Sequence, residues 1–254
     1  MITSATSISV ENAVEEFHQK GFVKLSGLFS AEEVHAWREE SERLIKLEIV
    51  SPDNLRTPYK NPAIPYPEKI DPVVDISPLF KKLAHDERIT DVVHAIFQDS
   101  PLLFKDKLIY KLPSMNGYGL HQDWAWGWQH LASADDLLSV SLQIDPANKD
   151  NGCIELFEGY HDRLVTAAGE ERNFNEEERK QLDHSSAHLM ETIPGDLLIF
   201  HSLSPHQSGK NHTTYPRRSL YLTYNAERAG DLRDAYYKHY MENIAGKQMN
   251  GHFI

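Results

Sequence analysis

Near residue 102 the apolar residues change their period, and this limits the chain to folds in which a helical flank packs on a strand-built core. Upstream the spacing is helical. Ile89, Val92, Val93, Ile96 and Phe97 fall at i, i+3, i+4, i+7 and i+8, one apolar stripe on a helix predicted over residues 86–97. Residues 11–20 place Val14 and Phe17 on one helical face. Ser30 and Glu33 have capping-box spacing, in which each side chain satisfies a backbone donor of the other. Val34, Trp37, Ser41, Leu44 and Ile45 continue that helix to about residue 50. Downstream the period is two. Phe104, Asp106, Leu108 and Tyr110 alternate with Lys105, Lys107, Ile109 and Lys111. Leu138, Val140, Leu142 and Ile144 alternate with Ser139, Ser141, Gln143 and Asp145, which predicts a strand buried on one face. Residues 154–157, 197–201 and 218–225 also read as strands.

Helices followed by spaced strands predict an α+β, β-rich chain whose strands form a sandwich or barrel. With 254 residues, 40% of them apolar, a single domain over 1–254 is expected. It divides into a mainly helical flank (11–100), a strand core (101–225) and a C-terminal extension (226–254), where 231–245 reads as a closing helix or an oligomer contact. Two segments interrupt this plan. Pro52, Pro58, Pro62, Pro65 and Pro67 forbid a helix interior or central strand within 51–70. Residues 159–192 form a polar insert in which Asn175 and Glu178 repeat the capping-box spacing. Loops of this length are lids, binding loops or disordered segments, or plain surface connectors, and both segments are candidates for a lid over a site.

Charge narrows the partners. Lys and Arg total 26 against 38 Asp and Glu, a formal charge of -12, which opposes a phosphate backbone and an anionic bilayer. A small-molecule substrate is expected, with no nucleic acid and no membrane. Cys153 is the single cysteine, so neither an internal disulfide nor a thiolate cluster is available. The first residues lack the basic start and apolar run of a leader. No stretch approaches the roughly 18 apolar residues of a bilayer span, and a cytoplasmic location is expected.

The chemistry is carried by residues far apart in the chain. In Gly119-Leu120-His121-Gln122-Asp123 the His and Asp stand two apart, and on a strand residues i and i+2 share a face, so both can meet one metal ion. A second histidine would complete a two-histidine, one-carboxylate face, which leaves room on iron for a chelating cosubstrate and O2. A His-x-Asp pair alone is weak evidence. The turn Pro194-Gly195-Asp196 launches the apolar run Leu197–Phe200, which leads to His206. Eleven residues further lie Arg217 and then Ser219, two apart on a strand, a guanidinium beside a hydroxyl that suits a carboxylate. Trp124, Trp126 and Trp128 follow the first motif, either as packing or as a substrate wall whose π faces would favour a cationic or ring-bearing molecule.

In order and spacing, His121-x-Asp123, NGCIELFEGYH at 151–161, GDLLIFHSLSPHQSGKN at 195–211 and Arg217 resemble the phytanoyl-CoA dioxygenase family of Fe(II)- and 2-oxoglutarate-dependent oxygenases, over residues 15–225. The resemblance implies a double-stranded β-helix, a cupin-like jelly-roll barrel with helices outside it. It implies His121, Asp123 and His206 as the catalytic iron ligands, and Arg217 with Ser219 as the clamp on the distal carboxylate of 2-oxoglutarate. Lys69 resembles a family lysine that reaches the cosubstrate, and Lys105 and Lys111 are further candidates. Trp126, with Trp124, is the implied substrate contact. Asp123 stands where halogenating relatives have a small residue, so hydroxylation with O2 and release of succinate and CO2 is implied. Glu158-Gly159-Tyr160-His161 departs from the family's Pro-Gly-Ser-His, and His161 and His201 are read as structural. A non-catalytic cupin-like binding protein and a zinc-dependent hydrolase using the same ligands are the alternatives, and the hydrolase has no need of Arg217.

Overall fold

The structure, a computed structural model, describes residues 9–47, 68–167 and 172–244. The prolines from 52 to 67 lie outside the described residues. Helix α1 (Val10–Lys20) is capped by Ser9 and stops at Gly21, whose φ of 87° turns the chain directly into strand β1 (Phe22–Leu25). Helix α2 (Ala31–Ile45) begins with the expected capping box: Ser30 Oγ accepts from Glu33 N at 3.2 Å and Glu33 Oε2 from Ser30 N at 2.8 Å. Helices α3 (Pro78–Leu83) and α4 (Glu87–Phe97) complete the flank. The periodicity missed β1 and α3 because four and six residues are too few to display a period.

The remaining strands are β2 (Lys69–Ile70), β3 (Pro101–Lys111), β4 (Leu137–Gln143), β5 (Ile154–Phe157), β6 (Ala187–Leu189), β7 (Leu197–His201), β8 (His206–Ser208) and β9 (Arg217–Ala226). They form two antiparallel sheets, ordered β1-β7-β4-β9-β3-β2 and β6-β5-β8. Ile154 and Leu156 of the small sheet pack with Leu198 and Phe200 of the large one, giving the jelly roll the sequence implied. The insert contributes α5 (Glu176–Arg179), started by the Asn175–Glu178 capping box, and β6.

Strand β4 corrects one expectation. All seven of its residues are buried, not alternate ones. Leu138, Val140 and Leu142 join the core that includes Val93 of α4 and Trp37 of α2, while Ser139, Ser141 and Gln143 face the barrel interior. Strand β3 divides in the same way, with Leu108 and Tyr110 in the core and Lys105 and Lys107 lining the interior cavity. The alternation therefore marks a strand with a greasy outer face and a polar, protein-enclosed inner one.

Helix α6 (Arg233–His239), followed by a π-helical turn at Tyr240–Ile244, covers the part of β3 that β2 does not reach. Tyr237 Oη accepts from Asp106 N at 3.3 Å and donates to Asp71 Oδ1 at 3.1 Å. Asp106 Oδ2 accepts from Val73 N at 2.6 Å and Val74 N at 2.9 Å, and Oδ1 lies 2.7 Å from Arg233 Nη1. Burial pushes the Asp106 carboxyl up to about 6 even with Arg233 opposing the shift. No helix among the described residues is long and apolar enough to cross a membrane.

Asp106 thus joins three segments, and removing it leaves two backbone donors without an acceptor and takes from the half-buried Arg233 one of its two carboxylates, the other being Asp75. Asp106→Ala is expected to cost about 3 kcal/mol, read in thermal unfolding as a fall of roughly 6–12 °C.

Candidate metal centre

His121 and His206 are tied by a reciprocal backbone pair: His121 N donates to His206 O at 3.0 Å, and His206 N to His121 O at 2.9 Å. Directly opposed antiparallel residues send their side chains to the same side, and the imidazole centroids lie 4.2 Å apart. Asp123 arrives differently from the expected strand alternation. Only His121 is paired, and Asp123 opens a 3-10 turn, Asp123–Ala125, whose Trp124 N donates to Ser202 O at 3.0 Å. Buried Gln122 fixes the turn by donating to Leu203 O and Arg163 O and accepting from Val165 N. The result places Asp123 Oδ1 3.5 Å from His121 Nε2 and 3.9 Å from His206 Nε2.

The surroundings orient each donor atom. His121 Nδ1 is 2.7 Å from Gly119 O and His206 Nδ1 is 3.0 Å from Ser204 O. A carbonyl only accepts, so both Nδ1 atoms carry hydrogen and both Nε2 lone pairs are free for a metal. Ser139 Oγ donates to Asp123 Oδ2 at 3.2 Å, which turns Oδ1 toward the imidazoles. Burial, reinforced by His121, lowers the His206 imidazole to about 4, so it is neutral at neutral pH. Burial would raise the Asp123 carboxyl, but His206, His121 and Lys107 outweigh it and hold the group well below the usual carboxylate range. Two neutral imidazoles and a carboxylate, with ligand atoms within 4.8 Å of one another, form the one such cluster among the described residues. This facial N,N,O donor set fits iron(II).

A second unusual arrangement lies along the same cavity. Arg217 is buried and donates from Nη1 to Ser219 Oγ at 2.7 Å and from Nη2 to Gly152 O at 3.1 Å, while its Nε has no hydrogen-bond partner among the described residues. Lys111, its cross-strand neighbour, is fully buried and donates to the same Gly152 O at 3.0 Å and to Ser208 Oγ at 2.9 Å. Burial and the nearby Arg217 lower Lys111 to about 7. A Cβ at position 152 would collide with Gly209 O and Lys111 Nζ, so only glycine presents this carbonyl to both cations. Two buried cations sharing one neutral acceptor, with a guanidinium N–H unspent, fit a carboxylate.

The other sequence candidates separate into distinct places. Lys105 lines the cavity. Lys69, on β2, sits 3.3 Å from Tyr240 Oη and 4.0 Å from Asp71 Oδ2. Trp126 meets His121 edge-on at 6.3 Å between ring centroids. Trp124 donates from its indole to Ala132 O at 3.0 Å and packs beside Phe104 and Tyr236. Trp128 reaches the cavity wall, where Lys105 Nζ stands 5.8 Å from its ring centroid. His201 accepts from Leu203 N and faces Asp135, and His161 contacts His18 O, both away from the cluster. Sequence reasoning did not single out Lys107, Ser139 and Tyr221. Their alternation on β3, β4 and β9 was the available signal.

The phytanoyl-CoA dioxygenase (PhyH) family description matches residues 17–219. Methylphosphonate hydroxylase of Gimesia maris is 28% identical over 237 residues, covering 89% of this chain and 85% of that one. A 2-aminoethylphosphonate dioxygenase of an uncultured bacterium is 24% identical over 237 residues, covering 88% and 84%. The crystal structure of EctD from S. alaskensis with bound Fe has the same fold, with a TM-score of 0.77 at 24% identity, covering 90% of this chain and 80% of that one. Because the match runs from α1 through both histidines to the arginine on β9, the chain belongs to the phytanoyl-CoA dioxygenase family.

Proposed function

We propose that the chain is an iron(II)- and 2-oxoglutarate-dependent dioxygenase that hydroxylates an unactivated C–H bond of a small molecule, with His121, Asp123 and His206 holding the iron. The observation that carries this reading is the half-satisfied Arg217 on the cavity that also holds the three donor atoms. A hydrolytic zinc site needs the donors but not the guanidinium. A plain binding protein needs neither the complete facial set nor a buried cation without a carboxylate. The relatives named for methylphosphonate and 2-aminoethylphosphonate support a small polar substrate.

When bound, iron(II) with 2-oxoglutarate and O2 supplies the oxidation, releasing succinate and CO2 and delivering one oxygen atom to the substrate. The chain's own groups do the rest. Arg217, set by Ser219, grips the distal carboxylate with its planar fork, and Lys111 adds a second cation behind it. Gly119 O and Ser204 O fix the imidazole tautomers. Ser139 keeps one carboxylate oxygen of Asp123 off the metal side, and an ionised carboxylate at this position fills the place a halide would need. Trp128, Tyr221 and Phe200 wall the cavity and keep water from the reacting atoms.

With iron(II), 2-oxoglutarate and ascorbate, the purified protein is expected to form succinate slowly even without added substrate. Asp123→Ala should reduce that rate at least about 100-fold, and full turnover in this variant would refute the ligand assignment. Arg217→Met should raise the 2-oxoglutarate half-saturation at least about tenfold while equilibrium dialysis still finds iron bound. Ser139→Ala removes only the hydrogen bond behind Asp123, and iron affinity by the same dialysis should fall about tenfold.

A further inference from the structure

Two lysines share the cavity with the donor atoms and make no ion pair with a described residue, although Asp71 and Asp123 attract both from farther off. Lys105 and Lys107 stand two apart on β3, so both project from its inner face. Asp106 between them points to the outer face, where Arg233 takes its charge. Neither ammonium makes a hydrogen bond or ion pair with a described residue. Lys107 Nζ lies 5.1 Å from the Tyr221 ring centroid. Lys105 Nζ lies 5.0 Å from that of Tyr236, with Trp128 at 5.8 Å and Tyr240 at 5.9 Å. Aromatic faces solvate a cation in part but do not neutralise it. Desolvation lowers both amines, Lys107 to about 8, where the charge of Lys105 adds to the effect.

Charge balance gives these lysines a role. A divalent ion, ionised Asp123, dianionic 2-oxoglutarate and Arg217 sum to zero, and Lys111, lowered to about 7, adds at most one further positive charge beside Arg217. Lys105 and Lys107 then leave two positive charges beside the metal in a poorly hydrated space. Residue type adds shape. Where a planar carboxylate is to be held the chain uses the flat fork of Arg217, whereas here it uses two compact ammonium groups with three donors each, which suit tetrahedrally disposed oxygens. Tyr236 and Tyr240, both buried, present their rings to the Lys105 ammonium. The overall charge of -12 acts through screened solvent, while these two charges act at contact range.

We infer that Lys105 and Lys107 recognise the head group of the substrate, and that this head is a tetrahedral dianion of the phosphonate or phosphate type, carried on a small molecule whose C–H bond lies between the lysines and the metal. The inference rests on the dioxygenase reading, which makes this cavity the substrate's.

The test is calorimetric titration, without oxygen, of protein loaded with iron(II) and 2-oxoglutarate. The probes are methylphosphonate and inorganic phosphate, with the uncharged dimethyl ester of methylphosphonate as control. The dianions should bind and the ester should not. Lys105→Met and Lys107→Met, which keep the unbranched stem, should each weaken methylphosphonate at least about tenfold, with 2-oxoglutarate affinity within about twofold of the parent. Retained 2-oxoglutarate binding also shows that each variant is folded. The inference is overturned if the parent binds 2-oxoglutarate but neither dianion, or if the variants bind methylphosphonate as the parent does. It is equally overturned if the variants lose 2-oxoglutarate instead, which would make the lysines cosubstrate contacts. Failure of the parent to bind 2-oxoglutarate would overturn the dioxygenase reading and this inference together.

Discussion

Two backbone hydrogen bonds between His121 and His206 hold the centre of this molecule together. They join residues 85 positions apart at a place where no extended sheet is needed, and they orient both imidazoles before any ion is present. Everything around the pair maintains it. Gln122 pins the loop after His121, the Ser202–Pro205 turn delivers His206, and Gly119 and Ser204 lend the carbonyls that set the tautomers. A metal face built on main chain in this way is rigid because the backbone bonds, not side-chain packing alone, fix its geometry.

The barrel around it separates two kinds of surface. On its outer side the large sheet buries apolar side chains against α1 to α4, and this supplies the stability. On its inner side it carries serines, a glutamine, lysines and an arginine, groups that are costly to enclose unless something pairs with them. The serines and the glutamine pair with one another and with Asp123. The remaining cost falls on the arginine and the lysines, and the ligands proposed above are the groups that would offset it: a carboxylate at Arg217 and an anion at Lys105 and Lys107.

Much of this was legible in the amino-acid order, for identifiable reasons. Capping boxes at Ser30 and Asn175 are local, and local chemistry decides them. The metal trio was legible as residue types and spacing, but strand alternation does not account for it: Asp123 reaches the site through a 3-10 turn. Alternation identified the faces of β3 and β4 but not what covers them, so the inner row of Ser139, Ser141 and Gln143 read as solvent-facing. The packing of α6 against the free edge of β3 depends on contacts between residues 71, 106, 233 and 237, which no sequence window contains.

The most direct test of the account is the visible absorption of the oxygen-free protein titrated with iron(II) in the presence of 2-oxoglutarate. Chelation of iron by the keto acid gives a charge-transfer band. The account predicts that the band grows to one iron per chain and is lost in His206→Ala. A parent protein that binds iron and 2-oxoglutarate without the band, or a band that survives in His206→Ala, would contradict it.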